Sequence, residues 1–444
     1  MKNKYWLKSG FFSFLQQFLV VLLGFGTFYI LVRILDKNEF GAWSLFIAVT
    51  AFLEAARNGL VQNALVKFLA SHQEEKKDII TASFAITGVL TLICILLNFG
   101  FANYLSLLWK TPQLLPMFYW YNIIFVFSGL ITQFQCIQQA NFRFDGLFYT
   151  SIARQLILFG YVLSSAIFGF SISLIALVFV QIVSSLVGAI IAYFFTRQYF
   201  ALGWKVNFEW VSRLFHYGKY VLGTALSSIL FNSIDQFMLG TYLSTAAAGT
   251  YNIAIRITNL VEIPTTSVSN IVFPQSARRV ENEGLEAVKH LYEKSVAVIL
   301  AILIPGLIFC FLFSGLIVDL VAGEKYEDTI PLLRVTLIYC LFIPYGRQFG
   351  TLLDSIGKTK LTFSIVVLSA LINIASNYVF IHQYGVMGAA YGTLFANIIG
   401  FIIGQIILKR ELNVEFLNTI IYAKDFYVEM FSKYLKPAMV RVRS

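Results

Sequence analysis

The sequence predicts an all-α polytopic membrane protein with about twelve transmembrane helices, set as two duplicated six-helix halves. Three observations carry this. Of the 444 residues, 58% are hydrophobic and 13% charged, with a mean hydropathy of +0.75, whereas soluble domains carry about 25% charged residues. Apolar runs recur along the whole chain, each long enough to cross a hydrocarbon core of about 30 Å. One constant offset also carries Gly10, Gly41 and Glu54 onto Gly218, Gly249 and Glu262, so that Gly41-Ala42-Trp43 in the first half matches Gly249-Thr250-Tyr251 in the second.

In chain order, the runs fall near 9–32, 41–66, 79–98, 116–137, 150–169, 173–195, 218–241, 249–273, 295–316, 331–353, 361–381 and 386–408. The first follows Lys2, Lys4 and Lys8 like a signal peptide, but it runs on without a small-residue cleavage site and is expected to stay as a span. Breaks between runs carry turn chemistry or charge, as in Asp36-Lys37-Asn38, Lys110-Thr111-Pro112, Gly323-Glu324-Lys325 and Gly357-Lys358. Placing the N-terminus in the cytoplasm puts roughly three quarters of the 33 Lys and Arg on that side, as the positive-inside rule requires. Both termini are then cytoplasmic. The opposite loops are short, the longest near 99–115, which leaves no room for a folded outer domain. Residues 1–196 form an N-terminal six-helix lobe and 218–408 a C-terminal one. Between them, 197–217 reads as a cytoplasmic amphipathic linker with Trp204, Phe208 and Trp210. The tail 409–444 spaces Phe416, Ile420, Tyr427, Phe431 and Tyr434 among Lys424, Lys433 and Lys436, as an interfacial helix does.

The net charge of +10 is explained by basic loops facing anionic lipid headgroups, without nucleic acid. Cys94, Cys136, Cys310 and Cys340 lie in apolar runs with no CxxC or Cys/His spacing, so neither a metal site nor a disulfide framework is expected. The four histidines join no ligand cluster. No phosphate-cradling glycine loop ends in Lys-Ser/Thr, and no Gly-x-Ser-x-Gly or zinc-type His spacing occurs. An ATP-driven pump and a hydrolase are thereby disfavoured.

Ionisable residues inside apolar runs are expensive and mark candidate function. Asp235 and Arg256 are both expected about 10 Å below the outer surface on antiparallel neighbours, and Glu262 about 20 Å down. Asp235 and Arg256 are placed to pair, either as a self-neutralising structural pair or with Arg256 holding an anion and Asp235 tuning it. Glu54 and Arg57, three residues apart, share a helix face and can compensate each other. Glu262 has no basic residue within a turn, and Pro264 removes an amide donor just after it, which makes it a candidate titrating or cation-binding group. Arg33 and Arg154 lie near span ends, where they can snorkel. The candidate anion set is Arg256, Arg57 and Arg33, with Glu262, Glu54 and Asp235 as coupling or charge-tuning residues.

Four stretches carry a family resemblance: Arg33-Ile34-Leu35-Asp36-Lys37-Asn38-Glu39-Phe40-Gly41, Ser233-Ile234-Asp235-Gln236-Phe237-Met238-Leu239-Gly240, Ala248-Gly249-Thr250-Tyr251-Asn252-Ile253-Ala254 and Tyr384-Gly385-Val386-Met387-Gly388-Ala389-Ala390-Tyr391-Gly392-Thr393. In order and spacing they resemble bacterial polysaccharide-biosynthesis flippases of the Wzx type, within the multidrug/oligosaccharidyl-lipid/polysaccharide exporter superfamily. The resemblance implies two six-helix lobes in a V around a central cavity, alternating access, and a monomer in the bacterial inner membrane. It implies transfer of undecaprenyl-pyrophosphate-linked oligosaccharide from the cytoplasmic to the periplasmic leaflet for O-antigen, capsule or exopolysaccharide synthesis. The implied partners are that lipid-linked cargo, membrane lipids and other polysaccharide-assembly membrane proteins. No cofactor is implied, and the drive is a coupling ion, H+ or Na+, or the membrane potential. The competing readings are a multidrug exporter of the same superfamily, disfavoured because 9–32 holds no acidic residue, and a membrane glycosyltransferase or polymerase, disfavoured by the short outer loops.

Overall fold

The computed structural model describes residues 2–72, 74–141 and 143–430. The part of the tail reading that rests on Phe431, Lys433, Tyr434 and Lys436 lies outside them, as do the side chains of Lys2, Lys4 and Lys8. The regular structure described is helical throughout, and the chain divides into two compact units: residues 1–233 with 244–249, and 234–243 with 250–444.

The first unit holds α1 (Lys2–Ile34), α2 (Lys37–Ser71), α3 (Lys76–Leu108), α4 (Leu114–Ala140), α5 (Asp145–Phe168), α6 (Leu174–Thr196) and most of α7 (Phe208–Tyr242). The Asp36-Lys37-Asn38 break is a capping box. Glu39 N donates to Asp36 Oδ1 at 2.7 Å and Asp36 N donates to Glu39 Oε2 at 3.2 Å, which satisfies two of the amides a helix start leaves open. At the α4–α5 corner Arg143 grips Asp145 at 2.7 Å, and that carboxylate raises the guanidinium pKa above its ordinary range. α4 is the central rod, packed by α2, α3 and α6, while α5 packs α1 and α6.

The second unit contains the end of α7, most of α8 (Thr245–Thr258), then α9 (Glu262–Glu283), α10 (Leu285–Leu312), α11 (Ser314–Ala322), α12 (Thr329–Tyr339), α13 (Ile343–Ser355), α14 (Thr359–Tyr384), α15 (Val386–Leu412) and α16 (Phe416–Met430). α14 and α15 form its tightest pair. A Cβ on Gly388 would collide with the Phe380 backbone carbonyl and one on Gly392 with Asn377, so the two motif glycines let the backbones close up.

Ten described helical segments are long and apolar enough to cross a membrane, and the protein is a multi-pass membrane protein. Several expected spans change in detail. The run 249–273 is broken by a 3-10 turn, Asn259–Val261, because Pro264 cannot donate to the Leu260 carbonyl and crowds it. The run 331–353 splits into α12 and α13, with a proline in the first turn of α13. The loop expected near 99–115 shrinks, since α3 continues to Leu108. In the linker, only 197–207 is non-helical, and Phe208 begins α7. Trp210, expected on an amphipathic surface helix, is 1% exposed within the apolar cluster of Leu65, Ile79, Ile80 and Ile137, and its Nε1 donates to Glu75 Oε2 at 2.7 Å. Within the tail, α16 packs on α10. There the buried Glu293 carboxylate accepts from Glu415 N at 2.9 Å and Asn418 Nδ2 at 3.1 Å.

Candidate functional site

In the second unit, the end of α7 and the start of α8 bring Asp235 against α14 and α15. Asp235 is 3% exposed. Its Oδ2 accepts from Tyr251 Oη and Thr393 Oγ1, each at 2.7 Å, and its Oδ1 accepts from Asn377 Nδ2. Asn377 Nδ2 also reaches Asn373 Oδ1 at 3.1 Å, and Asn373 Nδ2 donates to Thr393 Oγ1 at 3.1 Å. The Asn377 Oδ1 is buried with no hydrogen-bond partner. The result is one carboxylate held by neutral amide and hydroxyl donors, with Asn377 Oδ1 left over as an acceptor beside it. Such a set suits a proton or a monovalent cation; a divalent ion would call for more carboxylates. Among the described residues, no group of three His, Cys, Asp or Glu could hold a metal ion.

The expected pairing of Asp235 with Arg256 is not what forms. Tyr251 and Arg256 are five residues apart on α8 and project about 140° apart around it. Tyr251 faces Asp235 at 0% exposure, while Arg256, in the last turn, is exposed. Arg256 is therefore separate from the acid that was to tune it. Glu262, expected to lack a basic partner, opens α9 and accepts from Arg347 of α13 at 2.6 Å; both side chains are partly exposed. The partner is remote in sequence and close only through the packing of α9 on α13.

In the first unit, Glu54 and Arg57 do not form an ion pair. Arg57 is 1% exposed and its guanidinium turns into α4, donating to the Phe125 carbonyl at 2.5 Å and Ser128 Oγ at 3.1 Å, with Nε on Asn58 Oδ1 at 3.1 Å. These bonds satisfy the fork within the helix bundle, so Arg57 fastens α2 to α4 and is withdrawn from the anion set. Glu54 instead accepts from Tyr121 Oη at 3.4 Å. Arg33, in the last turn of α1, is exposed and lies over the Tyr29 ring at 4.6 Å.

A profile of the polysaccharide biosynthesis protein family matches residues 30–331. The chain belongs to that family. Lipopolysaccharide biosynthesis protein WzxC of Escherichia coli is 21% identical over 405 residues, covering 90% of this chain and 80% of that protein. Among solved structures, the lipid II flippase MurJ in an inward closed conformation aligns with a TM-score of 0.77 at 16% identity, covering 96% of this chain and 92% of MurJ. An inward-facing multidrug resistance MATE transporter aligns at 0.69 and 15%, covering 88% and 94%. The polysaccharide biosynthesis protein thus has the helical fold of those transporters.

In this family member, the surroundings of Asp235 are the part sequence reasoning missed. Asn373 and Asn377 sit one helical turn apart in a largely apolar run, and Thr393 ends the Gly388 motif. Two amides at that spacing in a span are a readable signal, because each must find a partner out of water.

Proposed function

We propose that the protein flips undecaprenyl-pyrophosphate-linked oligosaccharide from the cytoplasmic to the periplasmic leaflet of the bacterial inner membrane by alternating access. The family match over 30–331 carries this reading, and the similarity to WzxC and to the MurJ fold supports it. A lipid-linked pyrophosphate is a multiply charged anion, and guanidinium groups bind such oxygens bidentately. Arg256, exposed at the end of α8, is the first residue assigned to it, with Arg33 second. Asp235 is assigned the coupling role, exchanging H+ or Na+ against its ring of neutral donors. Outward movement of two negative charges across an inside-negative potential of about 100 mV is itself downhill by roughly 4–5 kcal/mol, so the potential contributes drive.

The test is translocation of a fluorescent lipid-pyrophosphoryl oligosaccharide in proteoliposomes under an imposed potential, pH or sodium gradient. The parent moves the lipid, Arg256→Ala stops it, and Asp235→Asn removes its dependence on one ion gradient. A parent that moves no lipid-linked sugar yet extrudes organic cations replaces this reading with multidrug export.

A further inference from the structure

Within the first unit, α1, α4, α5 and α6 line a half-open cavity of about 350 Å³ that none of the assigned residues uses. Its lining is rich in primary amides: Gln16 and Gln17 from α1, Gln155 from α5 and Gln181 from α6, joined by Arg154 and Ser185. Gln17 is exposed, while Ser185 is 1% exposed. Behind this lining, shielded from the cavity space, Arg154 Nε, Gln181 Oε1 and Ser185 Oγ are buried without a hydrogen-bond partner. Arg154 is seated by a notch, since a Cβ on Gly188 would come within 2.7 Å of its Cδ. Gln16 Nε2 donates to Ser151 Oγ at 3.0 Å, which ties α1 to α5 at the cavity wall.

The lining selects the ligand class. Each glutamine amide offers both a donor and an acceptor, and Arg154 adds donors alone. An anion is repelled by the amide oxygens, a cation by the guanidinium, and an apolar molecule satisfies neither. A hydroxyl group donates and accepts at once. At roughly 30 Å³ per water, the volume holds about a dozen waters, room for a sugar ring with bridging solvent. Tyr121, on the wall from α4, adds an aromatic surface whose hydroxyl is already held by Glu54.

We propose that this cavity is a carbohydrate subsite, taking one neutral sugar ring of the glycan, and this rests on the reading of the cargo as lipid-linked oligosaccharide. The subsite reads hydroxyls through amides, apart from the pyrophosphate ligand assigned to Arg256. The experiment is saturation-transfer NMR on the full-length protein in lipid nanodiscs, with the methyl glycosides of glucose, galactose and mannose, and N-acetylglucosamine, as probes and inorganic pyrophosphate as competitor. At least one glycoside receives saturation from the parent and from Trp204→Ala, a fully exposed control position. Transfer falls about tenfold in Gln181→Leu and in Gln155→Leu, the loss expected when a buried hydrogen bond to ligand is removed, and pyrophosphate leaves it unchanged. The subsite is overturned if the parent saturates none of the probes, if both leucine variants, folded by size-exclusion and melting, bind as the parent does, or if pyrophosphate displaces the sugar. A parent that binds glycoside but moves no lipid-linked oligosaccharide sinks the flippase reading and leaves the subsite; the opposite result sinks the subsite alone.

Discussion

Asp235 shows how a charge is kept inside a membrane protein without a counter-charge. Tyr251, Thr393 and Asn377 all donate to it, so each carboxylate oxygen is satisfied by neutral dipoles. Removing the acceptor strands those donors, and each stranded buried group costs about 1–3 kcal/mol. Asp235→Ala should therefore lower the melting temperature in detergent, whereas Asp235→Asn should keep most of the stability while losing ion dependence. Thermal unfolding of both variants beside the transport assay checks this, and equal destabilisation by the two would contradict it. Glu262 and Arg347 are a different kind of pair. Their side chains are 38% and 45% exposed, so a double-mutant cycle with Glu262→Gln and Arg347→Gln should give a coupling of about 1 kcal/mol or less if water reaches them. A coupling of several kcal/mol would mean that the pair faces lipid instead. Sequence alone made Asp235, Arg256 and Glu262 stand out, because a charge in an apolar run is visible without a fold. It did not supply their partners. Thr393 and Arg347 lie on other helices, and only the packing of α15 and α13 decides what they meet.

Among the elements, the most informative departure is the break between α8 and α9. Pro264 is legible as a helix disturber, but where the disturbance surfaces depends on which carbonyl loses its donor. It surfaces upstream, at Asn259–Val261. Pro264→Ala restores an amide able to reach the Leu260 carbonyl and should carry the α-helix through this turn. Hydrogen exchange should then show added protection over residues 259–264, about tenfold for each 1.4 kcal/mol of local stabilisation; unchanged exchange would mean that the turn is set by packing instead. Two of the glycines linked by the constant offset in the sequence are in contact. A Cβ on Gly249 would lie 2.9 Å from the Gly41 Cα, and one on Gly41 would strike the Thr245 carbonyl. Gly41→Leu should accordingly cost far more than a lipid-facing substitution such as Val89→Ala, as overpacking of this kind typically costs 1–3 kcal/mol or more, measured by yield and melting temperature.

For the molecule as a whole, the apolar runs gave the architecture, since span length is set by bilayer thickness and hydropathy reports it directly. The segment 197–217 was harder to read. Trp204 and Trp210 look alike in an aromatic and basic stretch, yet Trp204 is fully exposed and Trp210 is buried against α2 and α3. No local pattern separates an anchor from a surface aromatic six residues away. The difference offers a topology test. In a Cys310→Ser background, where Cys94, Cys136 and Cys340 remain buried, Trp204→Cys should react with a membrane-impermeant maleimide in inside-out vesicles and stay unlabelled in intact spheroplasts. The reverse pattern would invert the proposed orientation.

The solitary carboxylate at Asp235 also limits the energetics of the proposed cycle. One acid among neutral donors can change its charge by one unit, so the coupling role proposed for it amounts to one proton or one sodium ion per turnover. That exchange supplies roughly 2.3 kcal/mol across 100 mV and about 1.4 kcal/mol for each tenfold concentration gradient. With both at those values, and before the cargo's own charge is counted, the stoichiometry caps the leaflet-to-leaflet ratio the cycle can sustain at somewhat under a thousandfold.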